Sequence, residues 1–335
     1  MADLKITQLT ELTTAPANTD ILPFVDDPGG SPATKKITVG NLMGGLIAPQ
    51  GFLINGKIVP SVASNNLTVA IKGIDGNDPS ATNPVYVRLG DTVRSITAAC
   101  SVTKNAGTKW LNAGSAELAT KEIDYFVYLI WYSTHNGGAR VVPGFARIPW
   151  VERYDGFNNT NGELENSWCY EYDGVGQPDS ADPVSVVGRF AATLSAGAGY
   201  TWSVPTFTTV NLIQRPIYET RELSYAPVAG GGSGNGTWDC TYKLVGNVMF
   251  LNIVNSVEVP SNANTFTLTM PFQAKLSRIG YPTYIQDNSS LSATPGHIET
   301  AAGSATLNIY KAFFRTVWTS SNNKAIYPPI LTILI

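Results

Sequence analysis

Glu163, Glu165, Glu171, Asp173, Asp179 and Asp182 crowd one stretch of a chain that is otherwise poor in charge. Two carboxylates held at a fixed separation across a cleft can hydrolyse a glycosidic bond, one as acid and the other as base or nucleophile. The residues between these six are mostly Asn, Gly and Tyr, which build surface excursions more readily than fixed clefts. The stretch reads as a solvated acidic loop. A glycan depolymerase is the enzymatic alternative it leaves open. Asp75-Gly-Asn-Asp78 gathers oxygen ligands in a turn, but the distal Glu of a calcium loop is missing, and an ordinary turn is the simpler reading. The glycine run at 230–236 is not followed by Lys and Ser or Thr, so it is not a phosphate loop. Ser195 sits in Leu-Ser-Ala-Gly rather than in a nucleophile elbow. Cys100, Cys169 and Cys240 are far apart with no CxxC pair. Only His135 and His297 could join them, which argues against a structural zinc site. No catalytic residue, metal or cofactor is expected, and the chain reads as a non-enzyme.

Aromatic residues carry a second kind of chemistry. Trp168, Tyr170 and Tyr172 alternate, so a strand would place all three rings on one face. Such a face can stack on sugars or meet a partner protein; equally, it can cover the core of the domain that carries it. Tyr281, Tyr284 and Trp318 allow the same two readings.

These residues need a scaffold, and composition bounds its kind. The chain has 335 residues, too many for one ordinary core. Charged residues are 14%, against about 25% in an average globular protein. That low figure argues against helical bundles and coiled coils, while aromatics at 10% and a net charge of −3 argue against disorder. A pI near 5.5 lacks the basic footprint of a nucleic-acid binder. No run of about 18 apolar residues is present, so no membrane insertion is expected. The opening Met-Ala-Asp-Leu-Lys has no apolar h-region, which predicts no secretory signal and folding in a reducing cytoplasm.

The strand signals are local and repeated. Val85-Tyr-Val-Arg-Leu89 alternates, and Glu122 to Tyr132 is apolar on both faces after its first residues, as a buried central strand would be. Val141 to Trp150 returns beside it. Val184 to Leu194 and Tyr200 to Val204 form a hairpin candidate, and 210–217 a last strand. Ala229-Gly-Gly-Gly-Ser-Gly-Asn-Gly236 marks a linker. Beyond it, Cys240–Val245, the Gly246-Asn turn and Val248–Val254 predict a hairpin. Thr265–Met270, Ala305–Phe313, Thr316–Trp318 and Ile330–Ile335 complete a set of short strands. Residues 1–48 differ. Leu4, Ile6, Leu9 and Leu12 are single apolar beads. Ile21, Leu22 and Phe24 form a short run cut by Pro23, and Ile37, Val39 and Leu42 lead into a short turn of helix. So few bulky groups cannot make a core alone. The segment is expected to order against another copy of the chain, another protein, or both.

The expected organisation is all-β: an extended N-terminal segment over 1–48, a middle β-domain over 49–226, a Gly-rich linker over 227–236 and a C-terminal β-sandwich or jelly-roll-like head over 237–335. Lys5-Ile-Thr-Gln-Leu-Thr-Glu-Leu12, Asp20-Ile-Leu-Pro-Phe-Val-Asp26 and Thr34-Lys-Lys-Ile-Thr-Val-Gly-Asn-Leu42 together resemble the N-terminal segment of tailed-bacteriophage fibre and other virion appendage proteins. Val187-Gly-Arg-Phe-Ala-Ala-Thr-Leu194 and Asn211-Leu-Ile-Gln-Arg-Pro-Ile-Tyr-Glu-Thr220 are similar to a module of phage tail fibres. Thr237-Trp-Asp-Cys-Thr-Tyr-Lys-Leu-Val-Gly-Asn-Val-Met-Phe250 resembles the heads of such fibres. Tyr242, Lys243, Gly246 and Val248 keep most of the head pattern, with one residue fewer after the glycine.

The resemblance implies a homotrimeric virion component, made in the host cytoplasm. Residues 1–48 would grip tail, baseplate or capsid proteins, and the tip would face a host cell-surface glycan or protein. It places a virion anchor on Leu4, Ile6, Leu9, Leu12, Ile21, Leu22, Phe24, Ile37, Val39 and Leu42, and surface contacts on Trp168, Tyr170, Tyr172, Tyr284 and Trp318. A head fibre or decoration protein of the capsid would need the same parts.

Overall fold

The structure is a computed structural model that describes residues 20–26, 33–39, 42, 51–106, 120–133, 139–147, 149, 170–171, 182–195, 201–210, 219–230, 238, 240–253, 259–260, 264–277, 281–288, 290–291, 296–312, 315–319, 323–326 and 330–335. The fold is nearly all β, built from several small sheets.

Ile21–Asp26 pairs antiparallel with Ala33–Thr38, from Ile21 opposite Thr38 to Asp26 opposite Ala33. The Val39 N–H closes the open end on the Asp20 carbonyl at 2.9 Å. This hairpin is a sheet by itself.

The middle unit is organised around Glu122–Tyr132. Its β-branched and aromatic side chains suit a pleated surface covered on both faces, and almost every residue in it is buried. Arg140–Ala146 and Val184–Thr193 flank it, and Tyr170–Glu171 and Phe207–Val210 form the outer strands of this five-stranded sheet. One extra residue, Val187, bulges between Val186 and Gly188. The expected return strand over 200–204 differs: Leu194 and Trp202 make a single bridge, and pairing resumes at Phe207–Val210. Two three-stranded sheets pack on this one: Leu53–Ile54, Val85–Leu89 and Thr92–Ile96; and Gly56–Ala63, Asn66–Gly73 and Cys100–Lys104. Ser64 and Asn65 both take positive φ, as a two-residue hairpin turn with right-handed strand twist requires.

Tyr125, Phe145, Phe190 and Trp202 meet on one face of the large sheet. Tyr125 stacks on Phe190 with centroids 5.2 Å apart, and Phe145 meets Phe190 edge-on at 5.8 Å. Gly51 ties the smaller sheets to the large one. Its φ is +70°, and an added Cβ would lie 2.0 Å from the Val186 carbonyl oxygen. Gly51→Ala is therefore expected to lose about 2 kcal/mol or more, from the left-handed backbone and from the displaced carbonyl. Urea unfolding checks this, and a loss below about 0.5 kcal/mol would contradict the close approach.

The C-terminal head has three sheets. Leu223–Tyr225, Cys240–Val245, Val248–Ile253 and Ile330–Leu334 form the first, so the apolar C-terminal strand is docked. Ala229–Gly230, Phe266–Thr269, Thr306–Tyr310, Gly296–Glu299 and Tyr281–Thr283 form the second. Val259–Pro260, Asn323–Ile326, Ile285–Asp287 and Ser290–Leu291 form the third. Gly246 takes φ +59° in the expected hairpin turn. Strand pairing with the C-terminal sheets starts earlier than the composition suggests. Leu223–Tyr225 already pairs with Cys240–Val245, and Ala229–Gly230, inside the expected linker, pairs with Leu268 and Thr267. The rest of the glycine run, 231–236, lies outside the described residues. Trp238, Phe266 and Trp318 pack in series in the head's interior.

Candidate functional site

The N-terminal hairpin carries the residues the sequence marks for partner binding. Ile21 is 53% exposed, Leu22 44% and Leu42 43%. Ile37 is half-buried and Val39 buried. Phe24 is paired through its backbone with Lys35. Leu4, Ile6, Leu9 and Leu12 lie outside the described residues. A two-stranded hairpin is marginal by itself in water, and this one leaves Ile21 and Leu22 facing solvent, with Leu42 exposed just beyond it. It can gain stability by laying that surface on another chain, at roughly 25 cal/mol per Å² covered.

The aromatic candidates separate. Tyr284 is 72% exposed and stands at the end of the short strand Ile285–Asp287. Trp318 is not a surface residue. It is 2% exposed, its indole Nε1–H donates to the Ile309 carbonyl at 2.7 Å, and its ring lies 5.7 Å from that of Phe266. The buried indole finds its acceptor there, and its neighbour Val317 takes the exposed position instead. Tyr170 pairs with Phe145 through the backbone. Trp168 and Tyr172 lie outside the described residues.

Asp182, the last carboxylate of the acidic run, has a structural role of its own. It is buried, and its Oδ1 accepts from the Ser133 backbone N–H at 3.2 Å and from the Ser133 hydroxyl at 3.1 Å, fixing the exit of the central strand. Glu163, Glu165, Asp173 and Asp179 lie outside the described residues, and Glu171 sits in an outer strand. The Asp75 turn is closed on itself. Asp75 accepts from the Asn77 backbone and side chain at 3.0 Å each and from Asn83 Nδ2 at 2.9 Å, which together hold its carboxyl below the usual range. Cys100 is buried and its thiol is pushed up to about 12 by desolvation, which makes it a poor nucleophile at neutral pH. Among the described residues, no group of three or more His, Cys, Asp and Glu could hold a metal ion. Among them, too, no helix is long and apolar enough to cross a membrane.

Two polar clusters stand in the head. Glu299 accepts from Tyr310 Oη at 3.1 Å and Arg315 Nε at 3.0 Å, and lies 3.2 Å from His297 Nε2. Burial raises its pKa, but these partners outweigh burial and hold the carboxyl below its usual range. Asp287 meets Lys311 Nζ at 3.0 Å and accepts from the Thr319 hydroxyl at 2.8 Å. Both clusters tie strands of the head to its last loops.

A further polar cluster, among the described residues, is one that sequence reasoning missed. At one end of the large sheet, Glu122 and Asp124 share a face of the central strand, and Arg189 lies diagonally across from Asp124. Asp124 is fully buried, and Arg189 and Arg147 are nearly so. Arg221, from the head's first segment, reaches into this end. Its Nε and Nη2 donate to Asp124 Oδ1 at 2.9 and 2.7 Å, its backbone N–H to Asp124 Oδ2 at 3.0 Å, and its Nη2 to Glu122 Oε2 at 2.9 Å. The Thr206 hydroxyl donates to Glu122 Oε1. Burial raises Glu122 less than Thr206 and Arg221 lower it, so its carboxyl sits below the usual range. Charges inside the apolar runs 122–132 and 186–194 were the available signal.

No family model, curated protein or solved structure matches the chain. What can be said of function rests on the residues and their arrangement.

Proposed function

We propose that this chain is a non-enzymatic structural component of a bacteriophage virion, a homotrimeric tail fibre anchored by its N-terminal segment with the head facing the host surface. The observation that carries the reading is the hairpin Ile21–Asp26 with Ala33–Thr38. It is a separate sheet with Ile21 and Leu22 exposed and Leu42 exposed just beyond it, while the sheets that follow share one buried core. That is the construction an anchor needs: a segment that completes its burial on a neighbour. The sequence resemblance of residues 5–12, 20–26 and 34–42 to phage appendages supplies the neighbour's class. A trimer covers exposed sheet edges with neighbouring subunits, and the low charge of the chain lets polar β surfaces meet without repulsion. Three linked tips raise apparent affinity for a host glycan or protein through effective concentration, with no strong single site.

Light scattering on the purified protein is expected to give about 107 kDa, three copies of the 35.8 kDa chain closed by three-fold symmetry. A monomer persisting at micromolar concentration would overturn the reading.

A further inference from the structure

Strand Thr92–Ile96 carries a cation on a face that is otherwise turned to the core. Thr92, Arg94 and Ile96 lie directly across from Leu89, Val87 and Val85, and directly opposed residues share a face of the sheet. Those three partners are all 0% exposed. Arg94 therefore stands on the core-facing side of its small sheet. Its guanidinium reaches across to the large sheet and lies over the Trp131 ring, 3.9 Å from the centroid. Nε is sealed from water and meets no acceptor, whereas Nη1 and Nη2 are not sealed. Among the described residues the Arg94 side chain makes no hydrogen bond and no ion pair.

Two carboxylates flank this corner, and each is engaged elsewhere. Asp91, at the turn before the strand, accepts from the Thr92 hydroxyl at 2.9 Å. Asp182 accepts from the Ser133 hydroxyl at 3.1 Å, and the next residue, Pro183, accepts the Trp131 N–H at 3.0 Å. The Pro183 ring also lies 3.2 Å from where a Cβ on Gly90 would stand, so the turn, the indole and Arg94 meet at one corner. Charges withdrawn from water are ordinarily paired, because desolvation favours the neutral alternative. Here an indole face offsets part of that cost. It also fixes the plane of the guanidinium while leaving its Nη edge open. A planar fork already held in one orientation matches two oxygens of an anion with little further loss of freedom.

We propose that Arg94, stacked on Trp131, is the binding group for a small oxyanion from solution, a carboxylate or phosphate whose oxygens take Nη1 and Nη2. The site lies in the middle unit and depends neither on the N-terminal anchor nor on what the head faces.

The test is thermal melting of the full chain at constant ionic strength. Inorganic phosphate is compared with chloride, and glucuronate with glucose, which has a hydroxymethyl group in place of the carboxylate. With a Kd of about 5 mM, roughly 100 mM phosphate or glucuronate is expected to raise the melting temperature of the parent by about 2 °C. The anion that does so identifies the source, free phosphate or a sugar carboxylate. Arg94→Met keeps the apolar stem over the indole and is expected to lose the shift. Arg94→Lys keeps the charge without the fork and is expected to retain less than half of it. No shift with either anion in the parent, or an equal shift in Arg94→Met, would overturn the site. Should Arg94→Met fail to fold, Arg94→Lys decides, and an undiminished shift there would overturn recognition by the fork.

Discussion

Asp124→Ala is expected to lose about 3–5 kcal/mol of stability in urea unfolding, the range for breaking a buried ion pair from one side. Asp124 is 0% exposed and accepts three hydrogen bonds from Arg221 alone. Alanine leaves Arg189, itself buried and 3.9 Å away, without that anion. It also leaves the Arg221 backbone N–H without its acceptor. The loss is thus chiefly the cost of leaving two guanidiniums without their anion, Arg189 on the neutral Glu219 carbonyl and Arg221 on Glu122, and not the net worth of the pair. Asp124→Asn separates these contributions. It keeps the shape and one acceptor oxygen but turns an N–H₂ towards a donor, so it is expected to fall between the parent and alanine. A loss under about 1 kcal/mol for alanine would mean that water already reaches the carboxylate and that this end of the sheet is not sealed.

The strands were legible because their signals are local. Glu122–Tyr132, Cys240–Val245 with Val248–Ile253, and Phe266–Thr269 each carry their pattern within a dozen residues, and each forms close to where the pattern places it. The Asp124 cluster was not legible, because its members come together only in three dimensions. Arg221 and Asp124 are 97 residues apart. Asp124 alone looks like a polar residue at the start of an apolar strand. Ala229–Gly230 was misread for a different reason. Glycines in a row resemble a linker, but Gly230 lies where an added Cβ would meet Thr267 Oγ1 at 2.2 Å, so the missing side chain is what lets this backbone pair. Trp318 was ambiguous because the expected strand Thr316–Trp318 is too short to show which of its faces is covered. The acceptor for its indole, the Ile309 carbonyl, belongs to a strand that only the fold brings near.

Phe190→Ala is expected to lose about 3–5 kcal/mol as well, but through a different region of the molecule. Phe190 is fully buried between Tyr125 and Phe145, on the face of Val184–Thr193 opposite to that of Arg189. Alanine removes the ring and leaves a void that Tyr125, Phe145 and Trp202 can close only by leaving their present edge and stacking geometry. Phe190→Leu refills most of that volume and is expected to lose about 1–2 kcal/mol. Urea unfolding gives the magnitudes, and near-ultraviolet circular dichroism reports whether the ring cluster survives. A loss below about 1 kcal/mol for alanine would show that the four rings are not close-packed. The neighbouring positions 189 and 190 thus distinguish two kinds of coherence in one strand. Truncating Phe190 disrupts the packing of the four rings and should change the near-ultraviolet signal while the Asp124 hydrogen bonds remain. Removing Asp124 from the face it shares with Arg189 should instead weaken the end of the sheet where Arg221 enters and leave the near-ultraviolet signal of the four rings intact.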